Sequence, residues 1–374
     1  MKDKHHVLLT GGAGFIGSHV ADLLLEAGYR VRIFDSLLPP THNGILPDWI
    51  HKKAEFMRGD VREKADWLKA LEGIDSVIHL AAYMDYHLDF STYIDVNLKS
   101  LALLFECIED KKLSITKIIM ASSQSVYGEG KFECEEHGLL YLPPRSEARM
   151  KKGDWEQHCP VCGQEVKPLP EREDDELHPN IPYAISKWAS EKLLMTLGRQ
   201  YRIPGVALRY SIVLGPRQSF RHYYSGALRA FAANVLDKEA IQMNEDAGQI
   251  RDFVHVQDVA RAHLCVLEDE KANFEVFNVG SGERTRVLEL AERVAKEAAV
   301  PFEPKINNRY RVGGSRHALM NIDKLRSLGW EPRFGLEDMV HDYMQWITEF
   351  ENVSSILRVT EKTMREQGLL KEIQ

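Results

Sequence analysis

Cysteine, long apolar runs and excess positive charge are all scarce in this sequence, and each scarcity excludes a class of protein. The chain starts at Met1 with a short polar lead into residues 7–9, without the basic segment and apolar stretch of a secretion signal. We therefore expect a cytoplasmic protein whose five cysteines are reduced thiols or metal ligands. No apolar run approaches the ~20 residues that span a bilayer, so no membrane partner is expected.

The charge balance argues against nucleic acid as a partner. Forty-eight Lys and Arg face 56 Asp and Glu, which gives a net charge of −8 at pH 7 and no general attraction to phosphate backbones. Hydrophobic residues make up 44% of the chain, enough for a substantial core. At ~100–150 residues per domain, 374 residues allow two or three folding units.

Short β-branched runs alternate with helical spacing of apolar residues over roughly the first hundred positions. The strand candidates are residues 7–10, 31–34, 55–58, 77–81, 117–121 and 206–214. Helical spacing recurs around residues 15–24, 94–108 and 183–197. This alternation predicts an α/β fold, a Rossmann-like doubly wound parallel sheet covered on both faces.

The order of elements divides the chain further. Residues 1–214 are predicted to form the Rossmann domain, and residues 130–172 within it look inserted because they are rich in Glu, Arg, Pro and Gly. Residues 215–350 mix short strands and helices, which predicts a smaller α+β lobe with some segments returning to the Rossmann domain. Residues 351–374 form a charged C-terminal tail, expected either to pack as a helix or to fray.

A glycine-rich turn lies between the first predicted strand and helix. Gly11, Gly14 and Gly17 follow a G-x-x-G-x-x-G spacing. The first permits a tight turn, the second lets the backbone approach a pyrophosphate, and the third allows close packing of helix on strand. Asp35 ends the second strand about twenty residues later, where a carboxylate can bind the ribose hydroxyls of a dinucleotide. Because no Arg or Lys occurs at residues 36–40 to offset that carboxylate, NAD is favoured over NADP.

Tyr183 and Lys187 begin a predicted helix with i, i+4 spacing, which places phenol and ammonium on one face. A tyrosine of pKa ~10 is a poor base near neutral pH, but a neighbouring ammonium and an oxidised nicotinamide favour its phenolate. The spacing alone is also common in surface pairs, so its meaning depends on the motifs around it.

Taken in order, these motifs resemble the extended short-chain dehydrogenase/reductase family, in particular its nucleotide-sugar epimerases and dehydratases. The resemblance covers nearly the whole length and rests on Gly11–Gly17, Gly59-Asp60, His79–Ala82, Asn97, Ser122–Gly128, Tyr183 with Lys187, Arg209-Tyr210, Gly215–Arg217 and Arg251–Val256.

The resemblance implies a role for each matching residue. Ser123, Tyr183 and Lys187 would be catalytic, with Tyr183 as the acid/base, Ser123 bonded to the reacting sugar oxygen and Lys187 on the nicotinamide ribose. The implied cofactor-binding residues are Gly11, Gly14, Phe15, Ile16, Gly17, Asp35, Asp60, Val61, Leu80, Ala81, Ala82, Asn97, Tyr183 and Lys187. The implied substrate-binding residues are Ser123, Gln124, Tyr183, Arg217, Arg251 and Arg311, with Arg251 and Arg311 clasping the diphosphate of a nucleotide sugar.

The two residues that follow Ser123 help to identify the reaction. Family members that eliminate water carry Asp-Glu there, and decarboxylases often carry Glu at the second position, whereas this chain has Gln124 and Ser125. Neither exchanges a proton usefully near neutral pH. The remaining expectation is epimerisation at C4, with transient oxidation to a 4-keto sugar and return of the hydride to its opposite face. A decarboxylase or reductase acting on the same substrates, and an NAD-sensing binding protein, stay as alternatives.

The chain departs from the usual pattern at two places near the implied substrate site. Ser211 and Ile212 stand where Phe-Asn is common, so an amide that often touches the substrate is missing. Residues 313–317 read Gly-Gly-Ser-Arg-His instead of containing a Gly-Asp pair. These departures indicate either an unusual sugar or neutral change.

The insert carries paired metal-ligand motifs. Cys134 and His137 form C-x-x-H, and Cys159 and Cys162 form C-x-x-C, the format of a structural zinc knuckle. Free thiols in a loop, or His158 in place of His137, are the alternatives. Proteins resembling dTDP-L-rhamnose 4-epimerases carry a similar Cys-Pro-x-Cys-Gly insert, which implies a dTDP-sugar substrate.

Other features point to packing and assembly. The apolar breadth of the helices at residues 94–108 and 188–197, together with the resemblance, predicts a homodimer. His79 and His255 are interpreted as packed residues. The loop with Arg217, Gln218, Tyr223 and Tyr224 either lines the sugar pocket or lies on the surface.

Overall fold

The computed structural model describes residues 5–85, 89–219, 226–350, 353, 359, 362 and 364–373. Its centre is a seven-stranded parallel sheet whose strands, from edge to edge, are residues 275–279, 205–210, 117–123, 76–79, 6–10, 30–35 and 55–58. Tyr223 and Tyr224, the residues of the sugar-pocket hypothesis, lie outside the described residues.

The strands and helices follow the predicted alternation in the first part of the chain. The strands are β1 His6–Thr10, β2 Arg30–Asp35, β3 Glu55–Arg58, β4 Ser76–His79, β5 Lys117–Ser123, β6 Lys131–Cys134, β7 Gly138–Tyr141, β8 Lys167–Leu169, β9 Gly205–Tyr210, β10 Ile212–Leu214, β11 Gln242–Met243, β12 Ile250–Arg251, β13 Phe253–His255, β14 Glu275–Val279, β15 Thr285–Arg286, β16 Lys305–Ile306, β17 Arg309–Arg311 and β18 Leu370–Glu372. The α-helices are α1 Phe15–Glu26, α2 Lys64–Ala70, α3 Phe90–Tyr93, α4 Ser100–Lys111, α5 Glu147–Met150, α6 Pro182–Tyr201, α7 Gly226–Leu236, α8 Val256–Glu268, α9 Val287–Glu297, α10 Asp323–Arg326 and α11 Leu336–Ile347. A π-helix spans Ile94–Lys99, and short 3₁₀-helices span Gln124–Tyr127 and Glu270–Ala272.

Both faces of the central sheet are covered. On one face α1 and α8 bury Val20, Leu24 and Val259 against sheet residues such as Leu9. On the other face α2, α4 and α6 bury a second cluster around Trp67. The predicted Rossmann-like doubly wound sheet is confirmed, and its inner strands β1, β4, β5 and β9 are buried almost throughout because both of their faces are covered.

The smaller lobe has its own core. Helices α7, α9 and α11 pack together and bury Leu228, Leu290 and Tyr343. Residues 320–330 follow that lobe in sequence but return to the Rossmann core, where Met320 and Trp330 are buried. The chain after β9 thus contributes to both cores.

The insert forms a small unit of its own. Strands β6, β7 and β8 make a three-stranded antiparallel sheet in the order β7-β6-β8. The core of this sheet contains the large apolar side chains of Phe132, Leu142 and Val166, beside Cys134 and Cys159. Met150 and Trp155 of the insert pack separately, around Tyr310.

The structure corrects three of the predicted elements. The strand predicted at 206–214 breaks at Ser211, whose hydroxyl donates to buried Asp252, and β10 then pairs with β13 outside the central sheet. The strand predicted at 77–81 ends at His79 because the N–H groups of Leu80 and Ala81 turn to Thr10. The tail contains β18, which pairs with β17, instead of only a helix or a frayed end.

Candidate active site

The glycine turn forms an open cradle at the start of α1. Gly11 has φ +67°, and a Cβ there would lie 2.8 Å from the backbone N of Ala81. A Cβ on Gly17 would lie 2.3 Å from the Gly11 oxygen, so helix and turn pack too closely for any side chain. At Gly14 a Cβ would meet only that same oxygen, at 3.3 Å, and no side chain caps the helix. Backbone N–H groups at the N-terminus of α1 are therefore placed to bind a pyrophosphate, which is what binding of a dinucleotide requires.

Phe15 and Ile16 form the first turn of α1, directly after the cradle, and both are half-buried. Asp35 ends β2 beside that turn. Its carboxylate accepts hydrogen bonds from the N–H groups of Ala13, at 3.0 Å, and Leu37, at 2.9 Å. The carboxylate is therefore fixed at the end of the strand, facing the glycine turn.

Asp60 follows β3 and pairs with Arg62, whose Nε and Nη2 donate to its carboxylate at 2.5–3.0 Å. Although burial opposes it, this pairing holds the pKa of Asp60 below its ordinary value. Val61 is buried beside it, and its carbonyl accepts a hydrogen bond from the Trp67 indole at 2.7 Å.

The segment after β4 is held in shape by Asn97. Leu80, Ala81 and Ala82 form an irregular stretch that continues into Tyr83. The buried Asn97 amide, on the π-helix, accepts from the Tyr83 N–H at 2.7 Å and donates to the Tyr83 carbonyl at 3.0 Å. It also donates to the Ser186 hydroxyl on α6 at 2.9 Å, so it links this stretch to the helix of Tyr183.

Ser123 is the last residue of β5, at the carboxyl edge of the sheet. Its hydroxyl oxygen accepts hydrogen bonds from the N–H and the hydroxyl of Ser125, at 3.2 and 3.0 Å. Gln124 is half-buried and starts the following 3₁₀-helix. Ser125 therefore orients Ser123 and brings no acid or base of its own.

Tyr183 and Lys187 lie in the first turns of α6, with the Lys187 ammonium 5.9 Å from the centroid of the phenol ring. Lys187 is 3% exposed and donates to the Ala121 carbonyl of β5 at 2.8 Å, which fixes α6 against the strand that carries Ser123. Burial lowers the pKa of Lys187 to about 8, and nearby Glu191 opposes that change. The start of α6, with Tyr183 and Lys187, thus packs on the end of β5, the strand whose last residue is Ser123.

A buried ion pair beneath these residues was not predicted from the sequence. Arg209 on β9 and Glu191 on α6 pair at 2.9 Å, both 3% exposed, and Arg209 also donates to the Tyr127 hydroxyl at 2.8 Å. Glu191 accepts a short hydrogen bond from Ser122. The available signal was the spacing of 183, 187 and 191, which places Glu191 on the same helical face as Tyr183 and Lys187.

The predicted substrate arginines occupy different settings. Arg251 donates to the carbonyls of Ile250 and Arg316, both at 2.8 Å, and of Ser315 at 2.9 Å. Arg311 is half-buried on β17. Arg217 pairs with Asp22 of α1 at 2.7 Å, so its guanidinium contacts the helix of the cradle.

The four predicted metal ligands converge within the insert. Cys134, His137, Cys159 and Cys162 place their ligand atoms within 4.8 Å of one another. The His137 Nδ1 lies 3.6 Å from the Cys134 sulfur and 3.5 Å from the Cys159 sulfur, and the Cys134 and Cys162 sulfurs are 3.6 Å apart. Tetrahedral zinc with Zn–S of ~2.3 Å and Zn–N of ~2.0 Å places such atoms roughly 3.5–3.8 Å apart, so the donor set fits this metal.

His79 and His255 are packed residues, as interpreted from the sequence. His79 bonds to the hydroxyls of Thr10 and Ser100 at 2.8 and 2.9 Å, and burial lowers its pKa to about 3. His255 is fully buried and stacks on Phe334.

The sequence profile described as the NAD dependent epimerase/dehydratase family matches residues 7–150 and 159–280. The chain belongs to this family. Residues 151–158, between the two matched stretches, lie inside the insert.

Relatives within the epimerase/dehydratase family span almost the whole chain. dTDP-L-rhamnose 4-epimerase of Burkholderia thailandensis is 31% identical over 93% of this chain and 96% of its own length. The structure of UDP-glucose 4-epimerase from Thermotoga maritima with UDP-glucose has a TM-score of 0.74 at 27% identity, over 92% of this chain and 99% of that one. UDP-glucuronic acid 4-epimerase from Bacillus cereus in complex with NAD gives a TM-score of 0.74 at 26% identity, with the same coverage.

These likenesses confirm the resemblance to the nucleotide-sugar epimerases of the extended short-chain dehydrogenase/reductase family. No helix among the described residues is long and apolar enough to cross a membrane.

Proposed function

We propose that the protein is an NAD-dependent nucleotide-sugar epimerase that inverts C4 of an NDP-hexose. The observation that carries the proposal is the packing of Lys187, beside Tyr183, on the end of the strand that carries Ser123, with the glycine turn and Asp35 at the carboxyl ends of the neighbouring strands β1 and β2. No acid or base accompanies Ser123 at positions 124 and 125, which favours epimerisation over dehydration or decarboxylation.

NAD, when bound, supplies a hydride acceptor that can return the hydride to the sugar. Gly11, Gly14 and Gly17 would hold its pyrophosphate against α1, and Asp35 would bind the adenine ribose. Asp60 and Val61 would border the adenine, and residues 80–82 with Asn97 the rest of the cofactor.

Tyr183 would take the proton from the C4 hydroxyl during oxidation and return it after the keto sugar has turned in the pocket. The Lys187 ammonium, held by Ala121, favours the phenolate that this step needs. Ser123 would bond the C4 oxygen, and its lone pairs and hydroxyl are oriented by Ser125.

We further propose a dTDP-hexose as the substrate, because the relative from Burkholderia thailandensis that spans nearly the whole chain is named for a dTDP-sugar. Arg251 and Arg311 would bind the diphosphate, and Gln124 and Arg217 would border the substrate site. An open cleft lined by Glu129, by residues 141–144 of the insert and by residues 178–180 lies beside the start of α6. Because residues 178–180 directly precede α6, the helix of Tyr183, we propose this cleft as the position of the sugar.

A panel assay tests the proposal. The purified chain is incubated with NAD and UDP-, dTDP- or GDP-hexoses, and products are separated by chromatography. C4 epimers without net change in NAD are expected. Release of CO2 would favour the decarboxylase, net oxidation of NADH the reductase, and binding of NAD without any product the sensor.

We also propose one structural zinc ion bound by Cys134, His137, Cys159 and Cys162. The near-tetrahedral distances among their donor atoms support it, and four protein ligands leave no open position for catalysis. We also propose a reducing compartment such as the cytoplasm, because the insert's cysteines are proposed as zinc ligands rather than disulfide partners.

A homodimer is proposed from an apolar surface on α3, the π-helix and α6. Phe90, Ile94, Ile185 and Trp188 are 36–55% exposed there. The π-helix and α6 pack side by side, so these residues form one surface that a second copy of the chain could cover.

A further inference from the structure

The insert is anchored to the smaller lobe through charged groups that the mechanism does not use. Arg316, 1% exposed, donates from Nε and Nη2 to Glu156 of the insert at 2.8 and 2.6 Å. His317 bonds the other oxygen of Glu156 at 2.8 Å. Glu156 thus binds two consecutive residues of the loop at residues 313–317, which we call the arginine-anchoring loop.

A second residue of the insert reaches the same loop. Arg145 donates to Glu245 through both terminal nitrogens, at 2.9 and 3.0 Å, and to the Gly314 carbonyl at 3.1 Å. Arg316 also pairs with Glu245, at 2.9 Å, so the two arginines share one carboxylate. The arginine-anchoring loop is therefore clamped at residues 314, 316 and 317.

The clamped loop holds the arginines proposed to bind the diphosphate. Arg251 donates to the carbonyls of Ser315 and Arg316, and the strand of Arg311 leads directly into the loop. On that strand, fully buried Tyr310 packs on Trp155 of the insert at a centroid distance of 6.0 Å. A displacement of the loop would move both guanidinium groups relative to the substrate.

Glu156 and Arg316, which join the insert to the arginine-anchoring loop, are both charged near neutral pH. Although partial burial opposes it, His317 and Arg316 lower the pKa of Glu156 to about 2, so it is a carboxylate throughout the working range. Glu156 precedes the proposed zinc ligand Cys159 by three residues, which ties its backbone to the metal cluster. It also lies in the 151–158 segment that the family profile does not match.

We propose that Glu156 is a positioning residue for the nucleotide sugar: through Arg316 and His317 it fixes the arginine-anchoring loop and thereby the guanidinium groups of Arg251 and Arg311. The inference rests on the proposed function, which assigns those arginines to a diphosphate. It gives the insert a role in substrate affinity in addition to its own fold.

The test is the affinity of the full zinc-containing chain for dTDP and UDP, measured by calorimetry, with KM and kcat for the nucleotide sugar. Glu156→Gln keeps the shape but removes the charge, and we expect Kd and KM to rise about tenfold with kcat and NAD affinity unchanged. Arg145→Lys keeps the charge but loses the forked pairing, so it should change Kd in the same direction. Glu135→Gln removes an exposed ion pair with Lys167 in the same insert and should change none of these values.

If wild-type protein binds dTDP or UDP but Kd and KM are unchanged in Glu156→Gln and Arg145→Lys, the inference is overturned and the proposed function is not. Parallel losses of NAD affinity, kcat and thermal stability would also overturn it, since they would indicate a general structural role. A wild type that binds neither nucleotide would overturn the proposed function, and the inference with it.

Discussion

Tyr183 is the residue on which the proposed chemistry depends most directly. Tyr183→Phe removes the hydroxyl but keeps the ring beside Lys187. Because a positioned acid/base contributes ~10²–10⁴ to the rate, we expect kcat to fall at least ~10²-fold while affinity for the nucleotide sugar changes little. Steady-state kinetics and calorimetry measure the two effects. A variant with near-normal kcat would remove Tyr183 from the mechanism.

Asp35 sets the expected choice of cofactor. Its carboxylate is held by Ala13 and Leu37 at the end of β2, where it would repel a 2′-phosphate. We expect NADP to bind at least about tenfold more weakly than NAD in a fluorescence titration. Equal affinities would contradict this and would point to Arg58, which lies in register with Asp35 on β3, as a phosphate ligand.

Glu171 makes stability depend on pH. Burial raises its pKa to about 8, so the folded chain keeps a proton that the unfolded chain releases near pH 4.5. The unfolded state therefore binds fewer protons between about pH 5 and 8, and the free energy of unfolding falls as pH rises through that window. Relative to wild type, Glu171→Gln should gain roughly 1 kcal/mol for each pH unit across it.

Urea unfolding at three pH values between 5.5 and 7.5 measures this trend. The matched control is Glu176→Gln, whose carboxylate is 70% exposed and should leave the slope unchanged. A constant difference between Glu171→Gln and wild type at all three pH values would show that Glu171 is ionised in the folded chain.

Residues that act within one turn or helix could be predicted, whereas those paired across the fold could not. The Gly11 turn and the Tyr183–Lys187 spacing are local, because their geometry follows from a few consecutive residues. Arg316 and Glu156 are separated by 160 positions in sequence, and Arg316 looked like an unexplained departure from the family pattern. Its meaning depends on where the insert docks, which no local pattern encodes.

At the scale of elements, the insert is the unit most dependent on a ligand. Its small sheet buries three large apolar side chains, while Met150 and Trp155 pack on Tyr310 outside the insert, so we expect zinc to provide much of the folding free energy of the sheet and its Cys/His cluster. Cys159→Ser combined with Cys162→Ser should reduce bound zinc from about one equivalent to near zero and make residues 130–172 sensitive to protease.

Metal analysis of protein purified without chelator, followed by limited proteolysis, measures both effects. Cys265→Ser is the control, since its sulfur lies near the Leu328 carbonyl and outside the Cys/His cluster. Wild-type protein with well below one equivalent of zinc would reject the site.

Contacts between residues distant in sequence explain why some element boundaries differ from the prediction. Residues 206–214 read as one apolar run, but Ser211 and Asp252 form a polar contact that turns the chain out of the sheet. Strand β18 was missed because its partner, β17, lies about sixty residues earlier and lends it no local signal. The central strands were predicted well because burial on both faces leaves a continuous apolar run in each.

At the scale of the whole molecule, the exposed apolar surface on α3, the π-helix and α6 predicts association. Light scattering should give a mass about twice the 42.8 kDa of one chain, stable on dilution. Trp188→Glu would place a charge in that surface and should shift the mass toward one chain. Ile306→Glu, on a 51% exposed residue of the smaller lobe, should not. A wild type that is monomeric at all concentrations would contradict the dimer.

The chain crosses several times between the two lobes, and this affects how it folds. After β9 the polypeptide enters the smaller lobe at β10 and α7, returns for α8 and β14, and leaves again for α9. It returns once more at residues 320–330 and leaves for α11. Neither lobe is therefore a contiguous stretch that could be expressed alone. Each core closes only when distant parts of the chain have met, so loop-closure entropy opposes both together and favours a slow, cooperative folding reaction.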